Sequence, residues 1–428
     1  MRLIGNLAVD LPDFAILDHW RAPPAAGMFP ARTTESGKGV AGPLRLLMFA
    51  PNLNREGAPI SQFELTRALR RRGGIDAEVV SFADGPLRAA YEAEGIPVAV
   101  VPSCLDRIPT VKRLRDVVAE LSDLISRRQP DVVYANTLLT FVAVLAAFRA
   151  GVPSVLNPRE SEAWRTYFGF LNREVAREAL ASLALPHRVV FVSEASRRVW
   201  ASLDVKRNFT VICNGLDPRN LRTDPGSPAK EALRRELGYD SDEVVFLCVG
   251  TLCERKGQAD VLGAMARLAG TTAGRVRVAL VGEGQSSYGR RLRAGIGRLR
   301  RHLRDRVRIH GPAADLGRHY AAADVLVHCA RTESYPRVIL EAMAFGLPII
   351  TTPVFGILEQ VAENENALLF SPGDCVQLAG HMEKLAGDRE LRARLGRGSR
   401  SRLERLTTFD QMVDAYRAVF QGAAGSPA

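Results

Sequence analysis

The 428-residue chain has no apolar run near the ~20 residues that a membrane-spanning helix requires. Its longest candidate, Leu138–Phe148, has the length of a core helix. It has few cysteines: Cys104, Cys213, Cys248, Cys253, Cys329 and Cys375, with no CxxC pair among them. That disfavours a disulfide framework and a zinc ribbon, and leaves reduced, mostly buried thiols as the expectation. No Asp-x-Asp pair follows an apolar strand, since Asp240-Ser-Asp242 precedes one. The opening MRLIGNLAVDLPD is interrupted by Gly5, Asn6 and Asp10, so it makes a poor signal peptide. A cytoplasmic protein is expected.

What is present is globular, at 46% hydrophobic and 25% charged, with length enough for two or three domains. The formal charge of +11 suits phosphorylated ligands, an anionic membrane surface or nucleic acid, and does not choose among them. The most basic stretch is Arg290–Arg308, RRLRAGIGRLRRHLRDRVR, expected as a helix. A solvated face is the commonest explanation of such a run. It lacks interleaved stacking aromatics, which disfavours a nucleic-acid partner.

Strand-like and helix-like runs alternate. Leu44–Phe49, Ala77–Phe82, Pro97–Val101, Asp131–Ala135, Ser154–Leu156 and Arg188–Val192 read as strands in the first half. Val244–Val249, Val276–Val281 and Asp324–Cys329 do so in the second. Helices are expected at Ile60–Arg72, Thr110–Arg128, 375–405 and Phe409–Phe420. This alternation predicts an α/β protein built on doubly wound parallel sheets.

One stretch organises the rest: Ala330–Pro353, ARTESYPRVILEAMAFGLPIITTP. Thr332 or Ser334 can cap a helix, and Pro336 suits its first turn. Gly346 and Pro348 stop it, and the β-branched Ile349–Thr352 restarts a strand. Glu333 falls in the loop before the helix. Glu341 falls inside it, with Val338, Ala342 and Phe345 as apolar neighbours. A carboxylate so placed needs a partner or a ligand. Open α/β sheets bind ligands at the carboxyl ends of their strands, where a helix N-terminus offers N–H groups and a positive dipole to a diphosphate. Carboxylates there can accept hydrogen bonds from sugar hydroxyls.

Glu333, seven residues, Glu341 and then AMAFGLPIITTP resembles the donor-site signature of the retaining GT-B glycosyltransferases of family 4. The resemblance covers about Pro43 to the end. It implies two Rossmann-like domains facing a central cleft, bounded as an irregular 1–42 extension with a docked segment around Asp13–Trp20, an acceptor domain at 43–215, a donor domain at 216–405, and a C-terminal helix at 406–428. It implies that Glu333 contacts the donor sugar and Glu341 the nucleotide ribose. Ser334, Tyr335, Pro336, Arg337 and Val338 would form the diphosphate cradle, although Pro336 offers no N–H. In Gly250-Thr-Leu-Cys-Glu-Arg-Lys-Gly257, the resemblance implies that Gly250 and Thr251 would line the donor, while Arg255 and Lys256 would bind its diphosphate and offset charge on the leaving nucleotide. Gly282 opens a further strand-end loop, Gly282-Glu-Gly284. Gly311 and Pro312 stand where relatives bracket the nucleobase with backbone groups. Gly57-Ala58 stands where relatives carry a glycine pair. In Asn157-Pro-Arg-Glu-Ser161, Arg159 and Glu160 stand where relatives carry His and Glu; a surface Arg–Glu pair is the other reading. The aromatics Trp164, Tyr167 and Phe168 lie where an acceptor could enter; they stack on a sugar, insert in a membrane surface or, as is commoner, simply pack.

The activity implied is metal-independent, retaining transfer of a sugar from a nucleotide-diphospho-sugar to a sugar, polysaccharide-precursor, lipid-linked or small-molecule acceptor. No cofactor is expected. A lipid-linked acceptor would place the protein at the inner face of an anionic membrane. Three alternatives stay open: a same-fold nucleotide-sugar epimerase, a catalytically inactive GT-B partner subunit, and a basic nucleic-acid-binding protein.

Overall fold

The computed structural model describes residues 12, 14–20, 42–102, 108, 110–217, 219, 226–268, 270–282, 286–313 and 315–426. Most of the 1–42 extension, Cys104 and the Glu283–Gly284 pair lie outside the described residues. The chain forms two compact units, Met1–Cys213 with Gln411–Ala428, and Asn214–Asp410.

The first unit holds seven strands: β1 Leu44–Ala50, β2 Ile75–Ser81, β3 Val98–Val100, β4 Val132–Asn136, β5 Ser154–Asn157, β6 Arg188–Phe191 and β7 Phe209–Val211. Their order is β3-β2-β1-β4-β5-β6-β7, every pair parallel. Each crossover runs through a helix, as parallel pairing demands. Val111–Arg128 is capped by the Thr110 side chain, which accepts from Arg113 N–H, and it buries Leu114, Val117, Val118, Leu121 and Ile125 at helical spacing. It packs beside Phe141–Arg149, the buried centre of this core. Phe14–Trp20 is a short 3-10 segment that docks on this core through buried Leu17 and Trp20. The Trp20 indole N–H donates to Glu178 at 2.8 Å.

The second unit holds β8 Val244–Val249, β9 Val276–Val281, β10 Val307–His310, β11 Val325–His328, β12 Ile349–Thr351 and β13 Ala367–Leu369, in the order β10-β9-β8-β11-β12-β13, again all parallel. β8 shows why its sequence, VVFLCV, is apolar without alternation. Val244, Phe246 and Cys248 enter the core on one face, and Val245, Leu247 and Val249 the core on the other. A strand covered by helices on both sides has no solvent face to mark.

In both sheets the strand order reverses beside the central strand, between β1 and β4 and between β8 and β11. Crossovers leave to opposite sides at such a point and open a crevice at the carboxyl ends.

Several expectations need correction. The first helix starts at Gly57, not Ile60, so Gly57-Ala58 is its first turn rather than a loop before it. The helix after Glu333 spans Arg337–Ala344 with Pro336 at its N-cap and no side-chain cap. Thr332 and Ser334 therefore do not cap it, because Pro336 stays extended and the helix starts only after it. The basic 290–308 run is two helices, Ser287–Arg298 and Arg301–Arg304, followed by β10. Leu299 and Arg300 are extended and break it. The 375–405 region is also two helices, Cys375–Gly387 and Arg389–Arg405. Asp388 ends the first and caps the second, its carboxylate accepting from Leu391 N–H at 2.8 Å.

Candidate functional site

The strands of the second sheet bring four expected segments to one edge. β8 delivers Gly250 and Thr251, β9 Gly282, β10 Gly311 and Pro312, and β11 the Glu333 loop. Gly282 is obligatory: at φ +156° a side chain there would run into the Gly250 carbonyl oxygen. Strand-end loops that pack this closely expose backbone rather than side chains. Gly311 and Pro312 are exposed, while Gly250 lies against the Lys256 stem.

Lys256 and Arg255 sit on a 3-10 turn, Glu254–Lys256. Lys256 Nζ pairs directly with Glu333 Oε1. Arg255 Nη1 lies 3.3 Å from the same oxygen and donates to the Thr332 carbonyl at 3.1 Å. His328, fully enclosed at the end of β11, places Nε2 at 3.4 Å from that oxygen. Burial alone would push the Glu333 carboxyl up. Lys256, then His328 and Arg255, outweigh it and hold the carboxyl well below the usual range. Burial pushes His328 down, so the imidazole is neutral near pH 7.

Glu341 is buried in its helix and has two protein partners. The Tyr320 hydroxyl donates to Oε2 at 2.8 Å, and Arg337 Nη2 lies 3.6 Å from Oε1, one turn back. The Tyr320 ring stacks on Phe345 with centroids 5.4 Å apart. Ser334, Tyr335 and Pro336 are buried, and Val338 is half-buried. Two buried amides pin this turn by its carbonyls. Asn214 Nδ2 donates to Tyr335 O and Gln360 Nε2 to Pro336 O, each at 3.1 Å. Sequence reasoning missed His328, Tyr320 and Gln360. Each falls in an apolar or helical run whose pattern signals packing, and only the fold brings them to the loop.

The first unit carries a separate polar centre. The Arg159 side chain does not form the surface ion pair with Glu160 that was the plainer reading. Arg159 Nε donates to Asn136 Oδ1 at 3.2 Å, and the guanidinium also meets the Tyr134 hydroxyl. Asn136 Nδ2 donates in turn to Ala58 O at 3.1 Å, so one amide at the end of β4 joins Arg159 to the Gly57 helix start. Glu160 accepts from the backbone N–H groups of Arg159 at 2.7 Å and Leu138 at 3.2 Å, and from the Tyr167 hydroxyl at 3.2 Å. Burial is nonetheless the largest influence and pushes its carboxyl up to about 7. Thr137, between them, is a non-glycine residue at φ +74°, a strained conformation of the kind that gathers at functional positions. Trp164 and Phe168 pack in the core, and Phe170 is the exposed aromatic of this segment. Asn136 was not legible, because it carries no local pattern; Tyr167 stood out only as an aromatic, and its hydroxyl bond to Glu160 was not expected.

Among the described residues, no group of three or more His, Cys, Asp or Glu side chains is arranged to hold a metal, and no helix is long and apolar enough to cross a membrane.

Comparison with known proteins agrees with this fold. Residues 229–402 match the model for glycosyl transferases group 1, and residues 56–220 that for glycosyltransferase family 4. A D-inositol 3-phosphate glycosyltransferase of Stackebrandtia nassauensis is 30% identical over 69% of this chain and 70% of its own. The lipopolysaccharide core biosynthesis glycosyltransferase LpsE of Rhizobium meliloti is also 30% identical, over 43% of this chain and about half (51%) of its own length. Among solved structures, Anabaena Alr3699/HepE in complex with UDP-glucose aligns at TM-score 0.76 and 24% identity, covering 89% of this chain and 100% of that one. WaaG, a glycosyltransferase involved in lipopolysaccharide biosynthesis, aligns at 0.71 and 17%, covering 87% and 99%. These two share the fold of two parallel-sheet domains, GT-B.

Proposed function

The chain belongs to the group 1 glycosyltransferases, and from that premise we propose that it transfers a sugar, with retention at the anomeric carbon, from a nucleotide-diphospho-sugar bound by the Asn214–Asp410 unit. The observation that carries this reading is the Lys256–Arg255–Glu333 cluster at the sheet's reversal point. Without a ligand, Glu333 absorbs both cations. A diphosphate brings the negative charge that Lys256 and Arg255 take up instead, and Glu333 is then released to accept hydrogen bonds from the donor sugar. Two fixed cations stabilise the departing nucleoside diphosphate without a metal. Glu341, oriented by Tyr320, receives the ribose hydroxyls. The Arg159–Glu160 centre of the other unit serves the acceptor. We place the protein in the cytoplasm, with a sugar or lipid-linked acceptor on the route to a cell-surface polysaccharide. The exposed arginines of 290–304 suit an acceptor carried on an anionic membrane.

The test is thermal unfolding with UDP, GDP, ADP and dTDP, on the wild type and on Glu341→Ala. A ligand at about 100 times its dissociation constant stabilises by roughly 2.7 kcal/mol. One nucleotide shifts the wild type, and its shift collapses in Glu341→Ala. NMR of the product from the matching nucleotide-sugar then reads retention. If no nucleotide shifts the folded wild type, the donor site is not functional and a catalytically inactive subunit is the better reading.

A further inference from the structure

The turn that carries Arg255 and Lys256 and the loop that carries Glu333 are separate segments, and one side chain joins them. Arg331 grips Asp260 with two parallel bonds, Nη1 to Oδ2 at 2.5 Å and Nη2 to Oδ1 at 2.7 Å. Its Nη1 also donates to the Cys329 carbonyl at 3.1 Å. Its backbone N–H donates to the Arg255 carbonyl at 2.7 Å. Asp260 is buried at the start of the Ala259–Met265 helix, which follows the cation turn directly. The same Oδ2 accepts from Gly373 N–H at 3.1 Å, so a third loop is held as well.

Gly257 closes the turn in the left-handed region, at φ +63°. A Cβ there would lie 2.8 Å from Arg331 Nη1 and run into the Cys329 carbonyl oxygen. The turn is therefore pressed against the Glu333 loop with no room for a side chain. A forked carboxylate–guanidinium pair sets orientation as well as distance, which a lysine in the same place does not.

We propose that Arg331 and Asp260 are positioning residues for the donor site: together they lock the cation turn onto the Glu333 loop, so that Lys256, Arg255 and Glu333 meet the diphosphate and sugar as a preformed set. This rests on the donor-site reading above. Neither residue needs to touch the substrate.

The experiment uses the full chain. The nucleoside diphosphate that stabilises the wild type, chosen from UDP, GDP, ADP and dTDP, identifies the nucleotide-sugars to use. Release of that nucleoside diphosphate then gives kcat and KM for Arg331→Ala, Arg331→Lys, Asp260→Asn and Gly257→Ala. Melting curves without nucleotide establish that each is folded. The expected result is a fall in kcat of about 10- to 100-fold with a smaller change in KM, since a displacement near 1 Å costs on that order. Arg331→Lys recovers only part of the loss, and Gly257→Ala lowers kcat without altering any charge. The acid limb of the pH–rate profile moves up in Arg331→Ala. Glu333 then loses the alignment of Lys256 and Arg255 and keeps His328 as its remaining titratable neighbour. Wild-type kcat and an unmoved acid limb in folded Arg331→Ala and Asp260→Asn overturn the proposal, as does a lowered melting temperature with unchanged kinetics. A wild type that binds none of the four nucleotides overturns the donor-site reading first, and the proposal with it.

Discussion

Glu160 and Glu333 occupy loops at the carboxyl edges of two parallel sheets, yet their charges are treated in opposite ways. Glu333 faces two cations, Lys256 and Arg255, and these with the His328 imidazole hold it ionised against burial. Glu160 has an arginine next to it in sequence, but that guanidinium turns to Asn136 and Tyr134. Backbone N–H groups and a tyrosine are all it receives, and burial pushes it up to about 7. The contrast teaches that adjacency in sequence says little about charge pairing. A partner 77 residues away, Lys256, controls Glu333, whereas the neighbour of Glu160 does not control it. It also separates two kinds of chemistry. A carboxylate held ionised can orient a substrate throughout the neutral range, and one near 7 can exchange a proton.

Removing the first carboxylate tests the contrast most severely. Glu333→Gln keeps the shape, leaves Lys256 and Arg255 without their counter-charge, and lowers kcat about 100- to 1,000-fold, read as nucleoside diphosphate release. Equal rates in the two proteins would mean that the cluster is structural only. The nucleotide side is next in size: Tyr320→Phe, which leaves one Glu341 oxygen without its donor, weakens nucleoside diphosphate binding by about 1 kcal/mol, measured by titration calorimetry.

The pH dependence of stability sharpens the contrast, because the two groups act with opposite sign. Glu160 binds its proton more tightly folded than unfolded, so it favours the folded state at low pH, and that contribution is lost as pH rises from about 4.5 through about 7. Relative to Glu160→Gln, the wild type therefore loses on the order of 2 kcal/mol between pH 5 and pH 8 in denaturant titrations. Parallel curves would place Glu160 in water. Glu333 runs the other way. Its contribution is present above the ordinary carboxylate range and is lost only as pH falls through its lowered value, so Glu333→Gln gives no such difference between pH 5 and pH 8.

The sheets were legible because buried parallel strands are apolar runs between helical stretches, and VVFLCV at β8 is one. Glu341 was legible as well: a charge inside the apolar Arg337–Ala344 helix stands out without any structure. What closes the site was not. Arg331 and Asp260 are 71 residues apart, and Asn136 and Ala58 are 78 apart. Each looks like an ordinary polar residue in its own segment, and the pairing exists only once parallel crossovers set the strand ends side by side. Helix ends were missed for a related reason. The break at Leu299 and the cap at Asp388 depend on which side chain reaches a backbone N–H or turns inward, and periodicity does not report that.

The division of the chain has a consequence for synthesis. Asn214–Asp410 is continuous, so that unit has all its strands once residue 410 has left the ribosome. The other unit lacks the helix Phe409–Ala424 until residue 424 has been made. Tyr416, whose hydroxyl donates to Asn157 at 3.0 Å, and Phe420, packed edge-on against Tyr134, complete a core whose sheet was made some 200 residues earlier. The half that is translated first is therefore finished last. Until residues 409–424 are made, Tyr134 on β4 and Asn157 on β5 lack these partners, so a nascent chain that has already completed the second unit still exposes part of the first unit's core.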